Sequence, residues 1–287
     1  MPSNRTYELT IKLKTVDQGH VEILKTLLST IGIKPHEIVE VNHSPQMCLS
    51  VYSLTLKKAR AIKKKILLLR LKNISIALKS LLKKDWQARW KKEFKPFMLT
   101  DKVRVIPAWL KGKYPKGENQ IYIDTTLAFG TGLHATTRFM SGFIAQCRTK
   151  FKTFLDIGTG TGILAMVAHH CDAQEISAVD ISPDAVKTAR RNFELNGCTG
   201  VRLRAMDFAR FLKKEKYDFV AANLITHDLI KLKKKLVACV KLKQYLAVSG
   251  ISLSNFELFR QTFKSLPLRC LRIEKSEGWV AVLYKRI

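Results

Sequence analysis

The sequence reads as an α/β protein: a small α+β domain over residues 1–83, a linker helix over residues 84–96, and a doubly wound domain over residues 97–287. Three observations carry this reading. From residue 97 onward short apolar runs alternate with helix-forming segments, the pattern of a sheet covered by helices. One run, Phe154-Leu155-Asp156-Ile157, leads straight into three alternating glycines, Gly158, Gly160 and Gly162, and then into a helical segment. Residues 8–78 instead carry strand and helix signals in the order βαββαβ.

In chain order, residues 8–13 alternate apolar and polar side chains as a half-buried strand does. Val21, Leu24, Leu27, Leu28 and Ile31 fall at helical spacing, and Gly32 stops that helix. Residues 38–41 and 47–54 read as strands separated by the turn signal Asn42-His43-Ser44-Pro45. Residues 56–69 form a Lys-rich helix, and residues 74–78 a last strand, although the apolar stretch to residue 82 could equally continue the helix. This order is that of a ferredoxin-like sandwich. In the linker, Trp86, Trp90 and Phe94 lie at i, i+4 and i+8, giving an aromatic helical face that Pro96 ends. Such a face packs against a domain; stacking on nucleic-acid bases would need exposed rings.

In the third part, residues 103–106, 120–123, 153–157, 176–179, 201–205, 219–222, 245–249 and 279–284 can all be strands, with antiparallel ones at the far edge. The glycine loop follows the third of these, and Asp180 ends the fourth. Glycine lets backbone approach a bound nucleotide closely, and an acid about 20 residues on can hold ribose hydroxyls. The loop therefore points to an adenosine-type cofactor. A dinucleotide loop would place its third glycine where Ile163 stands, and no Lys-Ser/Thr pair follows, so neither pyrophosphate nor triphosphate binding fits. The string D-x-G-x-G-x-G from Asp156, with Asp180 beyond it, resembles the S-adenosylmethionine-dependent methyltransferases. That resemblance implies Asp156 near the methionine end of the cofactor, the glycines beneath it and Asp180 on the ribose.

Bulk composition narrows the class. A hydrophobic content of 46% fits a folded globular chain. Cys48, Cys147, Cys171, Cys198, Cys239 and Cys270 are scattered without C-x-x-C spacing, so reduced thiols acting as small buried hydrophobes are expected, with no metal site. The polar N-terminus is not a secretory signal, and the most apolar windows, 66–82 and 236–253, are broken by Arg and Lys; a cytoplasmic protein without a membrane span is expected. The net charge of +28, from Lys and Arg spread widely with local concentrations in residues 57–95 and 231–243, favours contact with an acidic polymer such as RNA.

The segment Ala128-Phe129-Gly130-Thr131-Gly132-Leu133-His134-Ala135-Thr136-Thr137 narrows the reading further. Locally its glycines make a tight turn, and its threonines can cap a helix opening at Arg138 or reach a ligand. The string closely resembles the A-F-G-T-G-x-H-x-T-T signature of the bacterial ribosomal protein L11 methyltransferase (PrmA) family. Lys84-Asp85-Trp86, Pro107-Ala108-Trp109, Asn223-Leu224 and Ser249-Gly250-Ile251 are similar to other pieces of that family, so the resemblance runs from about residue 84 to 251. It implies a Rossmann-like class I methyltransferase domain whose cofactor is S-adenosyl-L-methionine and whose partner is ribosomal protein L11. The acceptors it implies are lysine side chains and the N-terminal α-amine.

By the same resemblance Thr137 and Gly158 hold the methionine portion, Asp180 the ribose, Asp207 lies near the adenine, and Phe129 walls the substrate channel. Asn223, at a strand end beside the crevice, is the candidate catalytic residue that orients the amine. His134 reads equally as a structural turn residue and stays outside the catalytic set. The N-terminal sandwich grips the substrate, and a monomer is the expected state. Departures lie at Thr125-Thr126, Ala135 and Ile225-Thr226-His227-Asp228, all on the substrate-facing rim. Two other classes stay open: a ribosomal-RNA or other RNA N-methyltransferase, and a non-enzymatic ribosome-binding factor that kept the fold.

Overall fold

The computed structural model describes residues 5–13, 24, 28, 33, 38–43, 46–53, 55–69, 71, 74–82, 95–115, 117, 119–124, 132–211 and 216–287. The aromatic face of Trp86, Trp90 and Phe94, and Phe129 with the rest of residues 125–131, lie outside them. The chain divides into two compact units, residues 1–94 and 95–287.

The first unit holds strands β1 (Arg5–Leu13), β2 (Ile38–His43), β3 (Gln46–Ser53) and β4 (Ile74–Leu82) and helix α1 (Leu56–Leu68). The strands form one sheet in the order β2-β3-β1-β4, every pairing antiparallel. Alternation in β1 buries Leu9 and Ile11 while Lys12 is exposed, and these pack with Leu24, Leu28, Leu49, Val51, Ile62 and Ile66. Thr55 caps α1, its Oγ1 accepting from the Lys58 amide at 3.2 Å. Residues 74–82, open between strand and helix by sequence, are strand: β4 pairs β1 from Arg5↔Leu82 to Leu13↔Ile74 and so satisfies that edge of β1.

The second unit opens with β5 (Phe97–Met98), β6 (Arg104–Pro107) and β7 (Gln120–Ile123), a small sheet in that order. There follow α2 (Ala135–Gln146), β8 (Thr153–Ile157), α3 (Ile163–His170), β9 (Glu175–Asp180), α4 (Pro183–Leu195) and β10 (Arg202–Ala205). Then come β11 (Tyr217–Asn223), α5 (Thr226–Ala238), β12 (Val240–Ser252), α6 (Phe256–Phe263), β13 (Leu268–Ser276) and β14 (Trp279–Arg286). The large sheet has the order β10-β9-β8-β11-β12-β14-β13. Strands β8 to β12 are mutually parallel, and β14 runs antiparallel to both neighbours. Consecutive residues of β8 (Phe154 to Ile157) and of β11 (Phe219 to Ala222) are all buried, so both faces of these central strands are covered. Phe154 and Phe219 stack across the pair at 5.4 Å between centroids. The chain runs outward from β8 through β9 to β10 and then returns to lay β11 on the other side of β8. The C-terminal ends of β8 and β11 thus flank the point where strand order reverses, the crevice in which such sheets bind ligands.

Three differences from the sequence reading appear in this unit. Strand β13 carries no apolar alternation because it is a sheet edge: most of its residues are exposed, Leu271 and Ile273 among them. It also exposes Cys270, so that thiol is no buried hydrophobe, whereas Cys147, Cys171, Cys198 and Cys239 are buried. Strand β12 extends well upstream of residue 245 through Lys241-Leu242-Lys243, where Lys243 takes a left-handed φ of 62°. Among the described residues no helix is long and apolar enough to cross a membrane.

Candidate active site

The glycine loop sits at the C-terminal end of β8, with Gly158, Gly160 and Gly162 all at positive φ (72°, 57° and 84°). At Gly162 the reason is also packing: a Cβ there would lie 2.6 Å from the Phe193 ring, so α3 could not start so close to α4. The Gly158 and Thr159 amides both donate to the Val179 carbonyl, at 2.9 and 3.1 Å, tying the loop to β9. Asp180 completes the tie. Its Oδ2 accepts from the Gly160 amide and its Oδ1 from the Ser182 amide, each at 2.9 Å, which fixes a half-buried carboxylate at the rim of the crevice.

Asp156 is fully buried in β8, and its Oδ2 accepts from the Thr159 hydroxyl at 2.7 Å. Its Oδ1 has no hydrogen-bond partner. Burial pushes its pKa up to about 7, the Thr159 hydroxyl and the Ala165 amide pull it down, and the nearby Asp180 charge adds to the rise. Thr137 is equally buried on α2, and its Oγ1 also lacks a partner. Buried polar atoms are normally satisfied, so the orphaned Thr137 Oγ1, at a position expected to face a cofactor's methionine end, is what a ligand-binding crevice would leave. These residues fit S-adenosylmethionine.

Asn223 ends β11 at the other lip, half-buried. Its Nδ2 donates to the Thr136 Oγ1 at 3.2 Å, joining β11 to the first turn of α2. The start of α2 differs from the sequence reading. The helix opens at Ala135, not Arg138, and its cap is His134, whose Nδ1 accepts from the Thr136 amide at 3.4 Å. Next to Asn223, the Leu224 amide donates to the Ser249 carbonyl at 3.0 Å. Gly250 (φ 86°) lets β12 pass so close that a Cβ would lie 2.1 Å from the Leu224 carbonyl oxygen. Asp207 follows β10, half-buried; its Oδ1 accepts from the Ala209 amide at 2.8 Å and starts a short 3₁₀ turn.

The fold thus gathers Thr137, Asp156, the three glycines, Asp180 and Asn223 at the strand-order reversal, with Asp207 at the end of the outer strand. Two site-supporting residues carry no sequence signal beyond helical spacing. Asn192, fully buried on α4, donates to the Thr161 carbonyl at 2.8 Å and exchanges hydrogen bonds with the backbone of Asp124. One turn later Asn196 does the same with the backbone of Tyr122, at 2.7 and 2.6 Å. The pair holds the glycine loop against the end of β7. A separate cleft of about 380 Å³, lined by Lys111, Tyr114, Gln120 and Tyr122 among others, shares no residue with this crevice.

Comparison with known proteins follows the same outline. The sequence model of one family, described as ribosomal protein L11 methyltransferase (PrmA), matches residues 13–287. A ribosomal protein L11 methyltransferase of Symbiobacterium thermophilum is 34% identical over 200 residues, 69% of this chain and 65% of its own length. One of Ruminiclostridium cellulolyticum is 35% identical over 204 residues, 70% of this chain and 64% of its own. The match therefore spans less than two thirds of either relative. Among solved structures, the ribosomal protein L11 methylase of Lactobacillus delbrueckii subsp. bulgaricus superposes with a TM-score of 0.62 at 26% identity, covering 67% of this chain and 99% of that one.

Proposed function

The chain belongs to the ribosomal protein L11 methyltransferase (PrmA) family, and from that premise we propose that it transfers methyl groups from S-adenosylmethionine to amino groups of ribosomal protein L11. The observation that carries the proposal is the meeting, at one strand-order reversal, of an acid-tied glycine loop and Asn223 on the opposite lip. S-adenosylmethionine supplies an activated methyl on a sulfonium, so the protein's task is alignment and exclusion of water.

The residues divide that task. Thr137, Asp156 and Gly158 receive the methionine portion, Gly160 and Gly162 keep the backbone low beneath the cofactor, and Asp180 takes the ribose hydroxyls. Asp207 stands near the adenine. Asn223 accepts a hydrogen bond from the incoming amine and aims its lone pair, while desolvation in the crevice lowers the amine pKa so that a neutral nucleophile is present. Phe129 walls the channel. Lysine side chains and the N-terminal α-amine are the acceptors.

In this reading residues 1–83 are a ferredoxin-like substrate-recognition domain; the antiparallel order β2-β3-β1-β4 with α1 between β3 and β4 supports it. Residues 84–96 are the linker helix and residues 97–287 the catalytic domain of a cytoplasmic monomer. A contact with ribosomal RNA is favoured by the exposed cations of α1 (Lys57, Lys58, Arg60, Lys64, Lys65) and of α5 (Lys231, Lys234). The test is transfer of labelled methyl from S-adenosylmethionine to purified L11 and to large subunits, followed by ribonuclease. Ribonuclease-resistant label on L11 is expected, and Asn223→Ala should reduce it by roughly 100-fold or more. Label lost to ribonuclease would move the substrate to RNA. Binding to the subunit without any transfer would leave a ribosome-binding factor.

A further inference from the structure

The Asn223 side chain can face the crevice with either its carbonyl or its NH₂, and only the carbonyl can accept from an amine. What decides lies at the cap and in the first turn of α2. The Thr136 amide directs its N–H at the His134 Nδ1, 3.4 Å away, the arrangement of the tautomer that carries its ring proton on Nε2. Nδ1 also lies 2.7 Å from the Thr136 Oγ1, and in that tautomer the threonine hydroxyl is the donor. With its proton committed to His134, the Thr136 oxygen is left as an acceptor, and it meets Asn223 at 3.2 Å. The reversed amide would set two oxygens against each other there.

We infer that His134 and Thr136 are a positioning pair, a hydrogen-bond relay that fixes the Asn223 amide with Nδ2 inward and leaves Oδ1 to orient the substrate amine. The inference rests on the role given to Asn223 above. The far end of the chain braces the relay. The Trp279 ring meets the His134 ring edge-on, with centroids 5.1 Å apart. Arg138 bonds both the Leu133 carbonyl and Glu277, which sits in the turn between β13 and β14. That hairpin therefore holds the imidazole in the plane from which Nδ1 reaches Thr136.

Three variants of the full chain test the pair. Thr136→Val keeps shape but removes the hydroxyl, Thr136→Ser restores it, and His134→Ala removes the acceptor. The side-chain NH₂ resonances of Asn223, assigned by their loss in Asn223→Asp, read the tie directly in the free protein. Slow solvent exchange is expected in the wild type and in Thr136→Ser, and fast exchange in Thr136→Val and His134→Ala. On L11, Thr136→Val should lower kcat by roughly 10- to 100-fold with the KM for S-adenosylmethionine unchanged, and Thr136→Ser should recover most of the loss. Unaltered Asn223 resonances in Thr136→Val, or wild-type kcat in it, would overturn the pair. A wild-type protein that shows the tie yet moves no methyl to L11 refutes the proposed substrate and leaves the relay standing.

Discussion

At the residue scale, Asp156 lies fully buried in β8 with its Oδ2 accepting from the Thr159 hydroxyl, and burial favours its neutral form. Its folded pKa of about 7 lies above the ordinary value of 3.8, so the folded state holds this proton more tightly than the unfolded chain. Its contribution to stability is therefore full below about pH 4 and is lost as pH rises through 7. Asp156→Asn keeps an acceptor for the Thr159 hydroxyl and cannot ionise. The melting temperature of this variant relative to wild type is expected to climb between pH 5 and pH 8; a flat difference would show that Asp156 is not neutral in the fold. By sequence, Thr136 reads as a capping or ligand-reaching threonine and Asn192 and Asn196 carry no signal of their own; their ties appear only once α2 meets β11 and α4 meets the end of β7.

At the scale of elements, glycines with similar backbone angles should fail differently. Gly158 and Gly250 both take positive φ, 72° and 86°, so alanine strains each alike. A Cβ at 158 meets the end of the Leu224 side chain, which can move; at 250 it meets the Leu224 backbone, which the β11–β12 pairing holds. Gly250→Ala is expected to cost about 3 kcal/mol or more, lowering the melting temperature by roughly 6–12 °C. Gly158→Ala should cost less stability and more S-adenosylmethionine affinity. Thermal scans paired with calorimetric titration check the ranking, and its reversal would contradict the packing described. The same burial explains which strands the sequence made legible. Strands β8 and β11 are covered on both faces and read as plain apolar runs. Strand β13 is an exposed edge, and the upstream half of β12 is interrupted by a left-handed lysine, so neither leaves a periodic trace.

For the whole molecule, the chain divides into two compact units, each with its own cluster of buried apolar residues. The described residues assigned to the crevice all lie in the unit of residues 95–287. A fragment of residues 95–287 is expected to bind S-adenosylmethionine within about twofold of the full chain and to lose at least tenfold in kcat/KM on L11. Equal activity on L11 would remove the recognition role from the first unit. The charge of +28 is readable from composition alone, but its partner is not, because a cation attracts any polyanion. The most direct measurement is the intact mass of ribosomal protein L11 from cells lacking this gene, compared with cells restored by the wild-type or by the Asn223→Ala chain. Whole-methyl mass increments present only with the wild-type chain are the expected result. An L11 mass that is the same in all three would contradict the assignment.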